Sequence, residues 1–377
     1  VTETSATTLE EIDAALGTVI DPELRKPITE LGMVAGTAFD DGVVTVDILL
    51  TIAGCPLRGT ITRDVEAAVG GLPGVSAVEV RLGVMTQEQR DRLKEQLKGP
   101  GDRLGIPFND PGSLTRIYAV ASGKGGVGKS SVTVNLAVAM AAQGLRVGIV
   151  DADVYGFSVP SLMGITQAPT RVDEMILPPV AMDVKVISIG MFITGNQPVA
   201  WRGPMLHRAL EQFLGDVHFG DLDVLFLDLP PGTGDIAISV AQLLPSSELL
   251  VVTTPQTAAA DVAERAGTIA AQTGQKVSGV IENMSWLELP GGERMELFGR
   301  GGGAALAGRL TDAMGYPVPL LGSVPLEVAL REGGDSGQPI VAGASDSAAA
   351  RELRDIAGAL ARRPRGLGDL RLKVTPT

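Results

Sequence analysis

The run GKGGVGKSS at 123–131 carries the densest chemistry in the chain: Gly123, four residues, then Gly128, Lys129 and Ser130. That spacing suits a loop that wraps a polyphosphate. Gly123, Gly125, Gly126 and Gly128 are expected to supply backbone angles that turn successive N–H groups, with that of Val127 among them, toward one anion. A helix expected to begin near Lys129 adds its positive N-terminal end. Lys129 has the length to reach the β and γ phosphates, the Ser130 hydroxyl can ligate magnesium, and Ser131 can bond the α phosphate. The whole run from Gly123 to Ser131 is therefore expected to bind ATP with magnesium. Lys124 lies inside the loop, where its side chain points away from a nucleotide bound by its own loop. It reads either as a solvated lysine or as a group that approaches a nucleotide in a second copy of the chain.

Three acids can complete the site. Asp151 and Asp153 close the run RVGIV, and Asp228 closes VLFLD. In an open α/β sheet, residues at the carboxyl ends of strands face the ligand crevice. Asp228 is predicted to hold magnesium through water, and the LPPGTGD segment after it to sense the terminal phosphate. Either Asp151 or Asp153 can orient the attacking water. Asn283, at the end of GVIEN, offers a donor and an acceptor to an adenine edge. Ser285 stands where a guanine pocket would want an acid, which favours ATP over GTP.

Placing those residues together requires a parallel sheet. From 115 onward, short apolar runs rich in β-branched residues (RIYAVAS, RVGIVDAD, VKVISIG, DVLFLDLP, ELLVVTTP, KVSGVIENM, PLLGSVP) alternate with helical segments. A sheet buried on both faces produces that pattern. The predicted fold class is α/β, a P-loop NTPase with a mostly parallel sheet flanked by helices over 114–377. A small α+β domain over 1–85 precedes it, with a charged helix and Gly/Pro linker over 86–113. In the small domain, LEEIDAALGTVI and TITRDVEAAVGGL read as helices, and GVVTVDILL and VSAVEVRL as strands. The segment 347–362 reads as a surface helix packed on the larger domain.

Composition narrows the setting. With 31 basic residues against 44 acidic, the net charge of −13 argues against non-specific binding to nucleic acid or anionic lipid. No apolar run approaches the roughly 20 residues that span a bilayer. The opening VTETSATTLEEID lacks the basic and apolar regions of a secretory signal. A single cysteine, Cys55, excludes an internal disulfide and suits a reducing cytoplasm, the expected location. His207 and His218 are too few, and too far from Cys55 in sequence, to suggest a metal site.

GKGGVGKS resembles the deviant Walker A motif of MinD/ParA-like ATPases. The resemblance implies that Lys124 contacts phosphates across an ATP-bound homodimer, and that Asp153 orients water while Asp151 supports the magnesium shell. DADVYGFSVPSLMG, WRGPMLHRALEQFL, DLPPGTGD, TTPQTAAADVAERA, ENMS and FGRGGGAALA together resemble the Mrp/ApbC-type iron–sulfur cluster carriers, from 114 to about 335. IDPEL and TIAGCP within 9–85 resemble the SufT/PaaD-like domain that precedes such ATPases. The resemblance implies a catalytic set of Lys124, Lys129 and Asp153. It also implies an iron–sulfur cluster as cargo, with apo-proteins or assembly factors as partners and neither membrane nor nucleic acid.

One departure matters. The family places a C-x-x-C pair soon after ENMS, and here the chain reads NMSWLELPGGERMELFG. Cys55 then reads either as a small packed residue or, by the resemblance, as the contact for a cluster or client. Three functions follow: a cluster-transferring ATPase in iron–sulfur protein maturation, an ATP-gated scaffold or regulator that never touches iron, and a positioning ATPase acting on membrane or DNA.

Overall fold

The computed structural model describes residues 8–52, 54–97, 105–154, 156–192, 203–232, 235–256, 265, 269–343 and 346–363. Tyr155, Trp201, Arg202, Thr233, Gly234, most of 257–268 and the tail from 364 therefore lie outside the described residues. The elements in chain order begin with α1 (Leu9–Leu16), β1 (Val34–Asp40), β2 (Val43–Leu50), α2 (Arg58–Gly70), β3 (Ala77–Val84) and α3 (Gln87–Leu97). Next come β4 (Arg116–Ser122), α4 (Lys129–Ala141), β5 (Val147–Asp151), α5 (Val159–Leu162), β6 (Thr170–Val172), β7 (Met175–Leu177), β8 (Val180–Ala181) and β9 (Val184–Ser188). The rest are α6 (Gly203–Gly215), β10 (Val224–Asp228), α7 (Asp235–Leu243), β11 (Glu248–Thr253), β12 (Lys276–Glu288), β13 (Arg294–Met295), α8 (Gly302–Met314), β14 (Leu320–Leu326), α9 (Val328–Asp335) and α10 (Ala348–Ala361).

The chain divides into two units, Val1–Arg103 with Pro169–Pro178, and Leu104–Ala168 with Pro179–Thr377. In the larger unit the strand order is β13-β12-β11-β4-β10-β5-β9-β8, with β14 also paired to β12. Every pairing is parallel except those of β13 and β8. β5, β9 and β10 are buried along their whole length, as the apolar runs predict for a sheet covered on both faces. β4 lies between β10 and β11, and the register sets Asp228 opposite Val120 on β4 and Asp151 on β5. α4 is apolar on nearly all sides because it is enclosed between the sheet and α10. α10 buries Ala349, Ala350, Leu353, Ile356, Ala357 and Leu360, so 347–362 is a packed helix. The Arg116 guanidinium bonds the carbonyls of Leu360 and Ala361 at its C-terminal end, at 2.7 and 3.0 Å. Among the described residues no helix is long and apolar enough to cross a membrane.

The smaller unit has the sheet order β1-β2-β3. β2 alternates as predicted, burying Val44, Val46, Ile48 and Leu50. α1 starts on a reciprocal cap: Glu11 N–H donates to Thr8 Oγ1 at 3.2 Å, and Thr8 N–H to Glu11 Oε2 at 2.8 Å. The helix stops at Leu16 rather than running to Ile20, because Ile20 bridges Pro27 and the Ile28 N–H donates to Val19 O. β1 had no strand signature in the sequence. Its burial pattern does not alternate cleanly.

The sequence boundaries also omit a hairpin. β6 and β7 pair antiparallel, come from within the ATPase sequence, and belong to the smaller unit. Val172 and Leu177 are buried in the same core as Ile12, Ile48 and Val65, which is why the hairpin belongs there. Asp173 forms an ion pair with Lys94 and accepts from Gln87 Nε2 at 3.0 Å; Thr170 Oγ1 donates to Glu23 Oε1 at 3.0 Å. The same core takes Leu93 and Leu97 of α3, so the charged helix is part of the unit. Leu177→Ala is expected to destabilise this unit by about 2–5 kcal/mol. Hydrogen exchange should speed up at β2 and β3 and stay unchanged at β4 and β10.

Candidate nucleotide site

The predicted loop joins β4 to α4. Gly126 and Gly128 both have φ of +78°, in the left-handed region, and Gly128 caps α4. A Cβ on Gly128 would sit 2.3 Å from Asn283 Nδ2, so no side chain fits there. Gly125 corrects the expectation that every glycine of the run is needed for its backbone angle. It is not in the left-handed region, and a Cβ on it would meet Pro231 Cγ at 3.9 Å, an ordinary contact. The turn therefore depends on Gly126 and Gly128, while Gly125 leaves the loop's rim bare beside Pro231 of the segment after Asp228. Between the two left-handed glycines Val127 is buried and anchors the loop. Ser122 Oγ donates to the Lys124 carbonyl at 3.0 Å, and Gly232 N–H to Ser122 O at 2.8 Å, which ties the loop to that same segment.

Asp228 is the centre of the site and has no exposed surface. Its Oδ2 lies 2.6 Å from Lys129 Nζ and accepts from Ser130 Oγ at 2.6 Å. Its Oδ1 accepts from Thr133 Oγ1 at 2.8 Å. Thr133 was not anticipated, although the i, i+4 spacing from Lys129 puts it on the same helix face. An ammonium and a hydroxyl converging on one carboxylate oxygen form an arrangement that a magnesium ion fits: the lysine occupies the cation's place, and the hydroxyl and carboxylate are hard oxygen donors. Asp228 and Ser130 would hold that ion. Among the described residues no three His, Cys, Asp or Glu side chains converge as a metal cage, and magnesium held largely by water and phosphate needs none.

Asp151 is also fully buried. Burial and the neighbouring Asp228 carboxylate push its pKa up to about 7, against donation from Ser188 Oγ and the Asp153 N–H and the pull of Lys129. Ser188 Oγ and Val159 N–H donate to its Oδ2 at 3.0 and 3.3 Å, and Asp153 N–H to its Oδ1 at 3.2 Å. Asp151 thus braces the loop that carries Asp153. Asp153 accepts from Gly156 N–H at 3.1 Å, and its Oδ2 is 4.0 Å from Lys129 Nζ.

Lys124 Nζ donates to Gln256 Oε1 at 2.7 Å, just beyond the end of β11. Nothing in the sequence had marked Gln256. Asn283 is buried, and its Nδ2 donates to the Val127 carbonyl at 2.9 Å. Its Oδ1 is buried with no donor among the described residues, an acceptor left over beside the loop. The segment where the resemblance expects a cysteine pair forms the β12–β13 hairpin, with Arg294 stacked 4.3 Å from the Trp286 ring centre.

In the smaller unit Cys55 is 7% exposed, at the foot of α2. Burial raises its thiol pKa, helped by the carboxylates of Glu23 and Asp21, while the Leu57 and Arg58 backbone N–H groups act the other way. The DPEL acids are thus close to the thiol, and their effect is to keep it protonated.

A strand, a glycine loop and a helix whose lysine and hydroxyl meet a strand-end carboxylate define a P-loop NTPase. Residues 113–361 match the family described as NUBPL iron-transfer P-loop NTPase, and residues 9–81 match the iron-sulfur cluster assembly protein family. The chain belongs to the NUBPL iron-transfer P-loop NTPase family. It is 62% identical over 367 residues to the iron-sulfur cluster carrier protein of Mycobacterium tuberculosis H37Rv, covering 97% of this chain and 96% of that one. Identity to the iron-sulfur cluster carrier protein of Synechocystis is 42% over 362 residues, with 94% and 97% covered. The nucleotide-binding protein of Archaeoglobus fulgidus, solved in complex with ADP, is 38% identical with a TM-score of 0.51, covering 59% of this chain and 86% of that one.

The Asp151 shift has a measurable consequence. Between about pH 4 and 7 the folded chain keeps a proton that the unfolded chain has released, so stability without nucleotide falls as pH rises through that window. The slope is at most about 1.4 kcal/mol per pH unit. Asp151→Asn should abolish that contribution, read by urea denaturation of the larger unit across the window.

Proposed function

We propose that this chain is a Mg-ATP-dependent iron–sulfur cluster carrier that works as a cytoplasmic homodimer and passes clusters to apo-proteins. What carries this reading is the fusion, in one chain, of a nucleotide site built around Asp228 to a unit of the iron–sulfur assembly family that holds the single thiol. The relatives, iron-sulfur cluster carrier proteins by name, support the same cargo.

ATP is bound by the backbone N–H groups from Gly123 to Gly128, that of Gly125 included, and by Ser131. Lys129 leaves Asp228 for the β and γ phosphates, and Ser130 with Asp228 keeps the cation site. Magnesium, when bound, neutralises phosphate charge. Asp153 orients water toward the γ phosphate, and Asp151 holds the Asp153 loop in place. Lys124 exchanges the neutral Gln256 carboxamide for the phosphates of a nucleotide in the second protomer, so the dimer forms when ATP is bound. Asn283 presents Oδ1 to the adenine amino group.

Cargo chemistry is set by thiol count. Iron–sulfur clusters usually take four thiolates, and a dimer supplies two copies of Cys55. A cluster on this protein is therefore shared with thiolates of the donor or client. The absence of a cysteine pair from the β12–β13 hairpin, together with a Cys55 thiol raised in pKa, favours one second reading: an ATP-gated scaffold that handles no iron.

Anaerobic incubation with iron, sulfide, Mg-ATP and an apo-client separates the two. The carrier reading expects the wild type to speed cluster delivery and Cys55→Ala to abolish that gain. Lys124→Ala should slow ATP hydrolysis at least about 100-fold, the scale of losing one charge-stabilising donor. Delivery unaffected by Cys55→Ala sinks the carrier reading and leaves the scaffold.

A further inference from the structure

Thr133 has a hydroxyl that the nucleotide chemistry described above does not use. The residue is fully buried in the second turn of α4, with Oγ1 2.9 Å from the Lys129 carbonyl and 2.8 Å from Asp228 Oδ1. A helical threonine commonly returns its hydroxyl to the carbonyl one turn back, which accounts for the first distance. The second has another cause. A hydroxyl has one hydrogen, and a carboxylate is the stronger acceptor of the two.

The two oxygens of Asp228 have different partners. Oδ2 is held by Lys129 Nζ and Ser130 Oγ, the groups that must move or share when phosphate and cation arrive. Oδ1 is held by Thr133, which is enclosed within α4 rather than carried on the loop. When Lys129 turns to the phosphates, the Thr133 bond still fixes the carboxylate plane. We propose that Thr133 is a positioning residue for the magnesium site: it pins Oδ1 of Asp228 so that Oδ2 faces the cation in both the empty and the loaded states. The inference rests on the Mg-ATP reading of this site and extends it to a group outside the contact shell of the ion.

The test is calorimetric titration of ADP, with magnesium varied and with EDTA present, on wild type, Thr133→Val, Thr133→Ala and Thr133→Ser. Valine keeps the shape and removes the hydroxyl. Groups that orient metal ligands typically change metal affinity about 10–100-fold when removed. Valine and alanine are therefore expected to raise the magnesium concentration needed for tight ADP binding by about that factor. Affinity in EDTA should stay at the wild-type value, and serine should restore the magnesium response. The proposal is overturned if the valine variant titrates magnesium like wild type, or if its affinity in EDTA falls equally, which marks a packing role. It is also overturned if serine fails to rescue, or if neither hydroxyl-free variant folds. Should wild-type ADP binding itself ignore magnesium, the Mg-ATP reading fails first and this proposal falls with it.

Discussion

A carboxylate with no exposed surface needs partners, and the larger unit is arranged around supplying them to Asp228. Removing such a group from water costs several kcal/mol unless charge and hydrogen bonds compensate. All three side chains that compensate come from the first turns of α4: Lys129, Ser130 and Thr133. α4 must then begin where β4 ends, beside the end of β10, and the loop between them must turn sharply. The left-handed glycines at 126 and 128 permit that turn. The buried apolar length of α4 and its cover by α10 hold the helix at the depth this convergence needs. On the proposed reading the Lys129–Asp228 pair is poised for exchange, because phosphate offers that lysine a better partner and magnesium offers the carboxylate one.

How much of this was legible depended on how local the cause is. The phosphate loop could be read because its function lies in residue spacing over nine positions, and the strand-end acids because apolar runs mark where strands stop. Which glycines carry the turn was not legible, since spacing treats Gly125 and Gly126 alike and only the folded backbone separates them. Thr133 gave no signal: a threonine in a buried helix has an ordinary local explanation, and its link to Asp228 spans 95 positions of sequence. Gln256 is similarly distant from Lys124, and only the adjacency of β4 and β11 brings them together. The hairpin of β6 and β7 was illegible for another reason. Three-residue strands are too short to show alternation, and their burial is decided by a core that lies elsewhere in the sequence.

The smaller unit presents the contrasting case, in which a residue was easy to find and hard to interpret. Cys55 stands out as the lone cysteine, yet its chemistry depends on what folding puts beside it. Glu23 and Asp21 reach it from the turn after α1, and Thr170 holds Glu23 from a hairpin contributed by the ATPase sequence. Acids around a buried thiol disfavour the thiolate. A cation brought to that thiol would reverse the balance, since the same acids would then face positive charge. On the carrier reading the thiol would be engaged only in the presence of such a cation, and on the scaffold reading it stays protonated.

The proposed nucleotide chemistry turns on Asp228 exchanging Lys129 for magnesium when nucleotide binds. ADP affinity of Asp228→Asn, measured with magnesium and with EDTA, tests that exchange most directly. The variant is expected to bind ADP still, through the loop, with no strengthening by magnesium. A variant whose ADP affinity rises with magnesium as the wild type's does would contradict the exchange.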